Sequence, residues 1–160
     1  MKFLVDRMLG KLAKELRMLG YDTIYYRGED AHQLIQLARQ EGRLILTRNT
    51  KLIPRKFDVT ILEVMEDDPI HQLRELIGKG YISLDEEALF IRCLLCNSLL
   101  NELPREEVMG KVPDFIFYQQ KAFFQCPQCQ RIYWHGSHQE NMQRKVEKLR
   151  IADSRSQTTD

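Results

Sequence analysis

What the 160-residue sequence lacks narrows its class first. No stretch approaches 18 apolar residues, so no segment is long enough to span a bilayer as a helix. The opening MKFLVDRML reaches Asp6 after three apolar positions, too early for the core of a signal peptide. Net charge is nearly absent: 24 Lys and Arg stand against 23 Asp and Glu, +1 overall. No whole-molecule field therefore draws in a polyanion, and any such binding has to come from local patches. With 43% hydrophobic residues and no low-complexity tract, disorder and an all-basic arm are excluded as the main organisation. Cysteine is sparse, four residues, and all of them fall in two CxxC pairs. In a reducing compartment that spacing favours metal binding over a disulfide framework. The chain reads as a soluble cytoplasmic protein of one or two small domains, with no membrane partner.

The charge that is present is unevenly placed. Residues 1–20 carry five bases against two acids, residues 58–87 carry nine acids against Arg74 and Lys79, and residues 131–150 return to five bases against two acids. From residue 2 to about residue 80 short apolar runs alternate with helical periodicity, the pattern of βα units feeding a parallel sheet. KFLV is the first strand; Leu9, Leu12, Ala13, Leu16 and Leu19 then share one face of a helix over 8–19, closed by Gly20. TIYY at 23–26 is the second strand. Asp30 and Gln33 open the next helix, which ends at Gly42. RLILT is nearly all apolar, as a strand covered on both faces requires, and VTILEV at 59–64 is the fourth strand. Asp68-Pro69 caps a helix running through Ile77.

Beyond residue 89 the texture changes. Short β-like runs (LFIR, AFFQ, RIYW) flank the CxxC pairs, and Ser137-x-x-Glu140 opens a last helix with Met142, Val146 and Leu149 on one face. The expected organisation is an α/β domain over 1–88, a small metal-stapled module with a C-terminal helix over 89–151, and a disordered polar tail over 152–160.

Cys93 and Cys96 are separated by 29 residues from Cys126 and Cys129. Each pair forms a tight knuckle, and two knuckles supply a closed tetrahedral thiolate set, which leaves no open position for chemistry and makes a bound zinc structural. A thioredoxin-like redox pair, two disulfides and four unrelated buried thiols are the alternatives, but a redox CxxC opens a helix and these pairs sit between strand-like runs. His135 and His138 follow the second knuckle, where they are placed to reach phosphate.

In a parallel sheet all strands end at one edge, and ligands gather there. Asp6 follows the first strand, Asp30 the second, Asn49 the third, and Glu66, Asp67 and Asp68 the fourth. Carboxylates so collected repel one another unless a divalent cation is bound, and oxygen ligands select Mg2+ or Mn2+, the metals of phosphodiester hydrolysis. Plainer uses compete: Asp30 and Asp68 are good helix N-caps, Glu66 and Asp67 fit a solvated loop, and Asp6 fits an ion pair with Arg7 or Arg48. Arg7, Lys11, Lys14 and Arg48 lie near the same edge and suit phosphate contacts without sequence readout, or an ordinary solvated face.

FLVDRMLGKLAKELRMLGYDT, EGRLILTRN, IRCLLCNSLL and CPQCQRIYWHGSH together resemble the PIN-related RNase family of the Mut-seven carboxy-terminal type, over about residues 2–150. The resemblance implies a compact PIN-like α/β nuclease domain joined to a zinc ribbon, with RNA as partner. It implies Asp6 and Asp30 as acids of the Mg2+ or Mn2+ site and Cys93, Cys96, Cys126 and Cys129 as zinc ligands. One departure stands out: the family usually has an aspartate after LTR, and this chain has Asn49, a poorer and uncharged ligand, which Asp67 or Asp68 is positioned to replace. Two functions follow as expectations: a metal-dependent endoribonuclease attacking a phosphodiester with water, its RNA backbone held by Arg7, Lys11, Lys14, Arg48 and His138; or an RNA-binding or adaptor protein that kept the fold and lost the chemistry.

Overall fold

The computed structural model of the chain describes residues 1–52, 58–134 and 137–157, and the side chains of these except at 137–139, 142 and 152–157. Four short strands, β1 (Lys2–Val5), β2 (Asp22–Tyr25), β3 (Leu44–Thr47) and β4 (Ile61–Glu63), form an all-parallel sheet in the order β2-β1-β3-β4. Val5 stands between Tyr25 and Leu46 in register, so the strands finish level with one another.

The period of two in β1 and β3 sorts their side chains cleanly. Phe3, Val5, Leu44 and Leu46 enter one core with Leu12 and Leu16 of α1 (Gly10–Met18) and Leu73 and Leu76 of α3 (Pro69–Gly78). Leu4 and Ile45 enter a second core with Leu34, Ile35 and Ala38 of α2 (Ala31–Glu41). Both faces are covered, which is why KFLV and LILT are unbroken apolar runs rather than alternating ones. The chain steps outward from β1 to β2 through α1, then returns through α2 past β1 to β3. The winding therefore reverses between β1 and β3, where a crevice opens at the carboxyl ends of the strands.

Local chemistry sets the element ends. Asp6 accepts a hydrogen bond from the Met8 N–H and, with Leu9 N bonded back to its own carbonyl, winds Arg7–Leu9 into a 3-10 turn. The helix expected from residue 8 thus becomes α-helical only at Gly10. That glycine sits at an ordinary helical φ of −59°; its small size matters instead, since a Cβ there would lie 3.2 Å from the Tyr25 ring. Gly42 closes α2 at φ +65°, a left-handed cap that costs glycine little.

The second part is a three-stranded antiparallel sheet, β5 (Asn101–Leu103), β6 (Phe123–Gln125) and β7 (Ile132–Trp134), over a small core of Leu103, Val108, Val112, Phe117 and Phe123. Two short helices, α4 (Arg105–Val108) and α5 (Asp114–Gln119), occupy the spacer between the cysteine pairs. LFIR contributes a single bridge, Arg92 to Leu99, in place of the expected strand, because the first knuckle turns the chain back at once. The last helix, α6 (Ser137–Gln157), continues past Ile151, no glycine or proline standing in its path, and 158–160 of the expected tail lie outside the described residues. Its Val146 and Leu149 pack into the α/β core beside α3, although the sequence pattern groups this helix with the cysteine module. Among the described residues no helix is long and apolar enough to cross a membrane.

Candidate active site and metal centre

The crevice between β1 and β3 opens into a cleft of about 300 Å³ whose lining includes Asp6, Glu29, Asp30 and Asn49 together with Arg7 and Tyr26. Asp6 leaves the end of β1 and is 7% exposed. Its Oδ1 accepts from Met8 N at 2.8 Å and its Oδ2 from the Thr47 hydroxyl at 2.5 Å, so both oxygens are aimed by fixed donors. Thr47 is fully buried at the end of β3 and also receives the Asn49 N–H at 2.9 Å, so one hydroxyl ties the β1 acid to the β3 loop. Asp30 caps α2 through Oδ1, bonded to His32 N at 2.9 Å, and lines the cleft as well. Capping and cleft lining are compatible in one carboxylate because each oxygen offers two lone pairs. Asn49 Oδ1 accepts from Lys51 N at 3.1 Å.

The remaining candidates take other places. Asp67, on the loop after β4, pairs with Arg48 at 2.6 Å, and Arg48 also donates to the Glu66 carbonyl at 2.7 Å. Asp68 caps α3 through Ile70 N at 2.9 Å. Neither acid lines the cleft. Arg7 crosses the mouth of the cleft to Glu29 in an exposed ion pair. Lys11 and Lys14 are exposed on α1 and line a separate groove against the first cysteine knuckle. The His138 side chain and all of His135 lie outside the described residues.

Sequence reasoning missed Glu29 in this cleft and Thr47 behind Asp6. The signal for Thr47 was a hydroxyl closing an otherwise apolar buried strand, a polar group that burial obliges to find a partner. Glu29 carried no signal, being one more exposed acid in a loop.

The second centre is made of sulfur. Among the described residues, the Sγ atoms of Cys93, Cys96, Cys126 and Cys129 form the one group of three or more His, Cys, Asp or Glu whose donor atoms all lie within 4.8 Å of one another. The acids of the cleft do not form such a group. A tetrahedral ion with Zn–S bonds of about 2.3 Å holds its sulfurs about 3.8 Å apart. Cys93 Sγ and Cys129 Sγ are 3.8 Å apart, which fits that geometry and is far longer than a bonded pair of about 2.05 Å.

The two knuckles repeat each other. Asn97 N and Gln130 N bond back to the Cys93 and Cys126 carbonyls at 2.9 and 3.0 Å, and Cys96 N and Cys129 N point at the Cys93 and Cys126 sulfurs at 3.4 and 3.5 Å. Each knuckle closes with a left-handed residue, Asn97 at φ +70° and Gln130 at φ +66°. Burial alone would raise the Cys93 thiol, but the Tyr133 hydroxyl 3.0 Å away and the N–H groups of Cys96 and Leu95 outweigh it and pull it down to about 7. Burial, a hydrogen bond to Cys129 and the Cys93 charge push Cys96 up to about 12. Thiols this close ionise together only around a cation, so metal uptake releases protons and weakens as pH falls.

The first knuckle is also docked onto the parallel sheet. Asn97 Oδ1 accepts from Thr23 N at 2.9 Å and its Nδ2 donates to Asp22 Oδ1 at 2.7 Å, so the side chain completes the open edge of β2. Arg17, 8% exposed, donates to the Thr23 and Leu94 carbonyls at 2.9 and 2.8 Å, and Arg92 donates to the Gly20 carbonyl at 3.0 Å.

Comparison with known proteins agrees with this arrangement. The family model described as the Mut7-C RNAse domain matches residues 1–146. A human protein named exonuclease mut-7 homolog is 28% identical over an aligned length of 149 residues, covering 84% of this chain and 14% of that protein. The chain thus corresponds to a small part of that relative. No solved structure gives a significant match. A parallel α/β sheet with an acidic crevice, a four-cysteine cluster and a family match over most of the sequence support a function of nuclease type, and the chain belongs to the Mut7-C RNase domain family.

Proposed function

We propose that the chain is a metal-dependent endoribonuclease whose reaction centre is the cleft at the β1/β3 crevice. The observation that carries this reading is that Asp6, Asp30 and Asn49, each from the segment that follows a different strand, line one cavity together with the Glu29 carboxylate. Mg2+ keeps several of its waters and takes one or two carboxylates directly, so it needs an open cleft with a few acids and no tight protein cage. Such an ion, when bound, supplies an activated water and stabilises charge on the phosphodiester. Asp6 is the central ligand: Met8 N and Thr47 fix both of its oxygens and hold the carboxylate toward the cleft. Asp30 adds a second charge from α2, and Asn49 adds a neutral oxygen that orients water. Lys11 and Lys14 are free among the described residues to contact the RNA backbone, and Arg7 can exchange Glu29 for a phosphate. Zinc in the cysteine cluster is structural, since four thiolates leave no position for substrate.

A second reading is favoured by Asn49 itself. An amide stands where the family usually places an aspartate, and its oxygen is already engaged by Lys51 N, so the cation site is weak in charge. On this reading the protein binds RNA and does not cut it. One gel separates the two. Zinc-loaded protein is incubated with a labelled single-stranded RNA in Mg2+, in Mn2+ and without either. The endoribonuclease reading expects Mn2+-dependent fragments from the wild type and none from Asp6→Asn. Equal cleavage by the variant, or an intact substrate that is nevertheless shifted by the wild type under every ion, overturns it.

A further inference from the structure

We propose that the groove between α1 and the first cysteine knuckle is a separate backbone-binding subsite for single-stranded RNA, which holds the part of the strand leaving the acidic cleft. The knuckle is then a wall of the substrate path as well as a metal staple. This inference rests on RNA being the ligand of the cleft, and it adds a site and residues that the cleft does not contain.

The groove has a volume of about 300 Å³, and the charged residues lining it, Lys11, Lys14, Arg17 and Arg27, are all cationic. The cleft is the reverse, three carboxylates with a single arginine. Arg17 is already engaged, since it is buried and donates to the Thr23 and Leu94 carbonyls. Lys11, Lys14 and Arg27 remain, all exposed and none with an ion-pair partner among the described residues. Elsewhere Arg7, Arg39, Arg48, Lys79, Lys145 and Arg150 each hold a carboxylate, while exposed cations such as Lys51, Lys111, Arg131 and Lys148 hold none among the described residues; what distinguishes the groove is that its cations sit beside the acidic cleft. Lys11 and Lys14 stand three residues apart, one above the other on the same helix face. Three cations spread over a helix and a loop suit a chain of phosphates better than a single anion.

The groove and the cleft adjoin. Tyr25 lines the groove and donates its hydroxyl to the Arg7 carbonyl at 2.6 Å, and Arg7 lines the cleft. Arg27 lies over the Tyr25 ring at 5.6 Å, so a ridge of Tyr25 and Arg27 separates the two depressions. A strand crossing this ridge meets an aromatic face and a guanidinium, the usual support for unpaired bases and their backbone. The far wall is Leu94 and Leu95 of the knuckle; Leu95 is 45% exposed, an apolar side chain left facing the groove by a turn that Arg17 fixes in place.

The test is fluorescence anisotropy of the zinc-loaded full chain with labelled tetrauridylate and dodecauridylate, without other divalent ions. The wild type is expected to bind the longer strand more tightly. Lys11→Ala/Lys14→Ala should weaken dodecauridylate binding about tenfold and flatten its salt dependence by about two phosphate contacts. Leu95→Glu, which places an acid on the knuckle wall at an exposed position, should also remove the advantage of length; zinc content and circular dichroism verify that each variant is folded. Lys111→Ala, in the ribbon away from this groove, serves as the charge control and should retain that advantage. If the wild type shows no preference for the longer strand, or if the groove variants keep it, the subsite is overturned. Cleavage of dodecauridylate in Mn2+ by the wild type is scored separately. Cleavage with unaltered length dependence in the variants leaves the nuclease reading standing and removes the groove; loss of length dependence without any wild-type cleavage does the opposite.

Discussion

The parallel sheet and the cysteine module reach order by different physics. In the sheet, Phe3, Leu4, Val5, Ile45 and Leu46 are all fully buried between helices on two faces, and hydrophobic burial is enough to hold them. Among the described residues, the module has five buried apolar side chains in its own core, and its strands are three residues each. So small a core falls short of the conformational entropy it must offset, and a metal held by the four converging sulfurs would make up the difference. The difference teaches where each part is vulnerable: the sheet to cavities, the module to the loss of any cation its sulfurs hold. What joins them is polar at the first knuckle, where Arg17 bonds to Leu94, Arg92 to Gly20 and Asn97 to Thr23, and apolar at α6, whose Val146 and Leu149 pack into the sheet's core.

Removing the metal should separate the two regions most sharply. Structural zinc binding is worth on the order of 10 kcal/mol, so a strong chelator or Cys93→Ser should unfold the module while the sheet and its helices persist. Trp134, the sole tryptophan, lies on β7 and reports this directly. Its emission should shift to the red as zinc is lost, with most of the helical circular dichroism retained; simultaneous collapse of both signals would show that the sheet depends on the module. Next in size, Leu46→Ala opens a cavity in the larger core and should cost about 3 kcal/mol in urea unfolding, without loss of bound zinc from the folded protein.

The junction should respond less. Asn97→Gly keeps the left-handed backbone of the knuckle and deletes two hydrogen bonds to β2, a loss of about 1–2 kcal/mol. Faster amide exchange at Thr23 with unchanged zinc content would place the effect at the edge of the sheet; unchanged exchange would mean that the docking is unimportant. The smallest effect concerns acid. Burial tends to raise the Asp22 carboxyl, but hydrogen bonds from Asn97 and Arg43 outweigh it and hold the group below its ordinary value. The stabilisation it provides is complete above the usual carboxylate value of about 3.9 and drains as pH falls from there through the lower folded value. Asp22→Asn should therefore lower stability at neutral pH and flatten the acid limb of the stability curve; identical acid limbs would refute the assignment.

Much of the sheet was legible in the sequence because its signals are local. KFLV forms β1, LILT within RLILT forms β3, and Asp30, Asp68 and Gly42 cap the helices they were expected to cap. The four cysteines were legible for the same reason, their spacing being a property of each knuckle. What escaped depends on distant pairing. No pattern within α6 says that Val146 and Leu149 face α3, since an amphipathic stripe requires a partner without naming it. The hydroxyl of Thr47 on Asp6 and the amide of Asn97 on Thr23 join residues 41 and 74 positions apart. The helices α4 and α5 were hidden in a spacer read only for its length.

The cleft itself is a product of that long-range assembly, and its chemistry is the central claim. The most direct measurement is anomalous scattering from a crystal of the zinc-loaded protein soaked in Mn2+, collected for the wild type and for Asp6→Asn. We expect one manganese peak beside Asp6 and Asp30 in the wild type and none there in the variant, with the zinc peak among the four cysteines present in both. A cleft without manganese in the wild type, or a peak that survives the loss of the Asp6 carboxylate, would contradict the account.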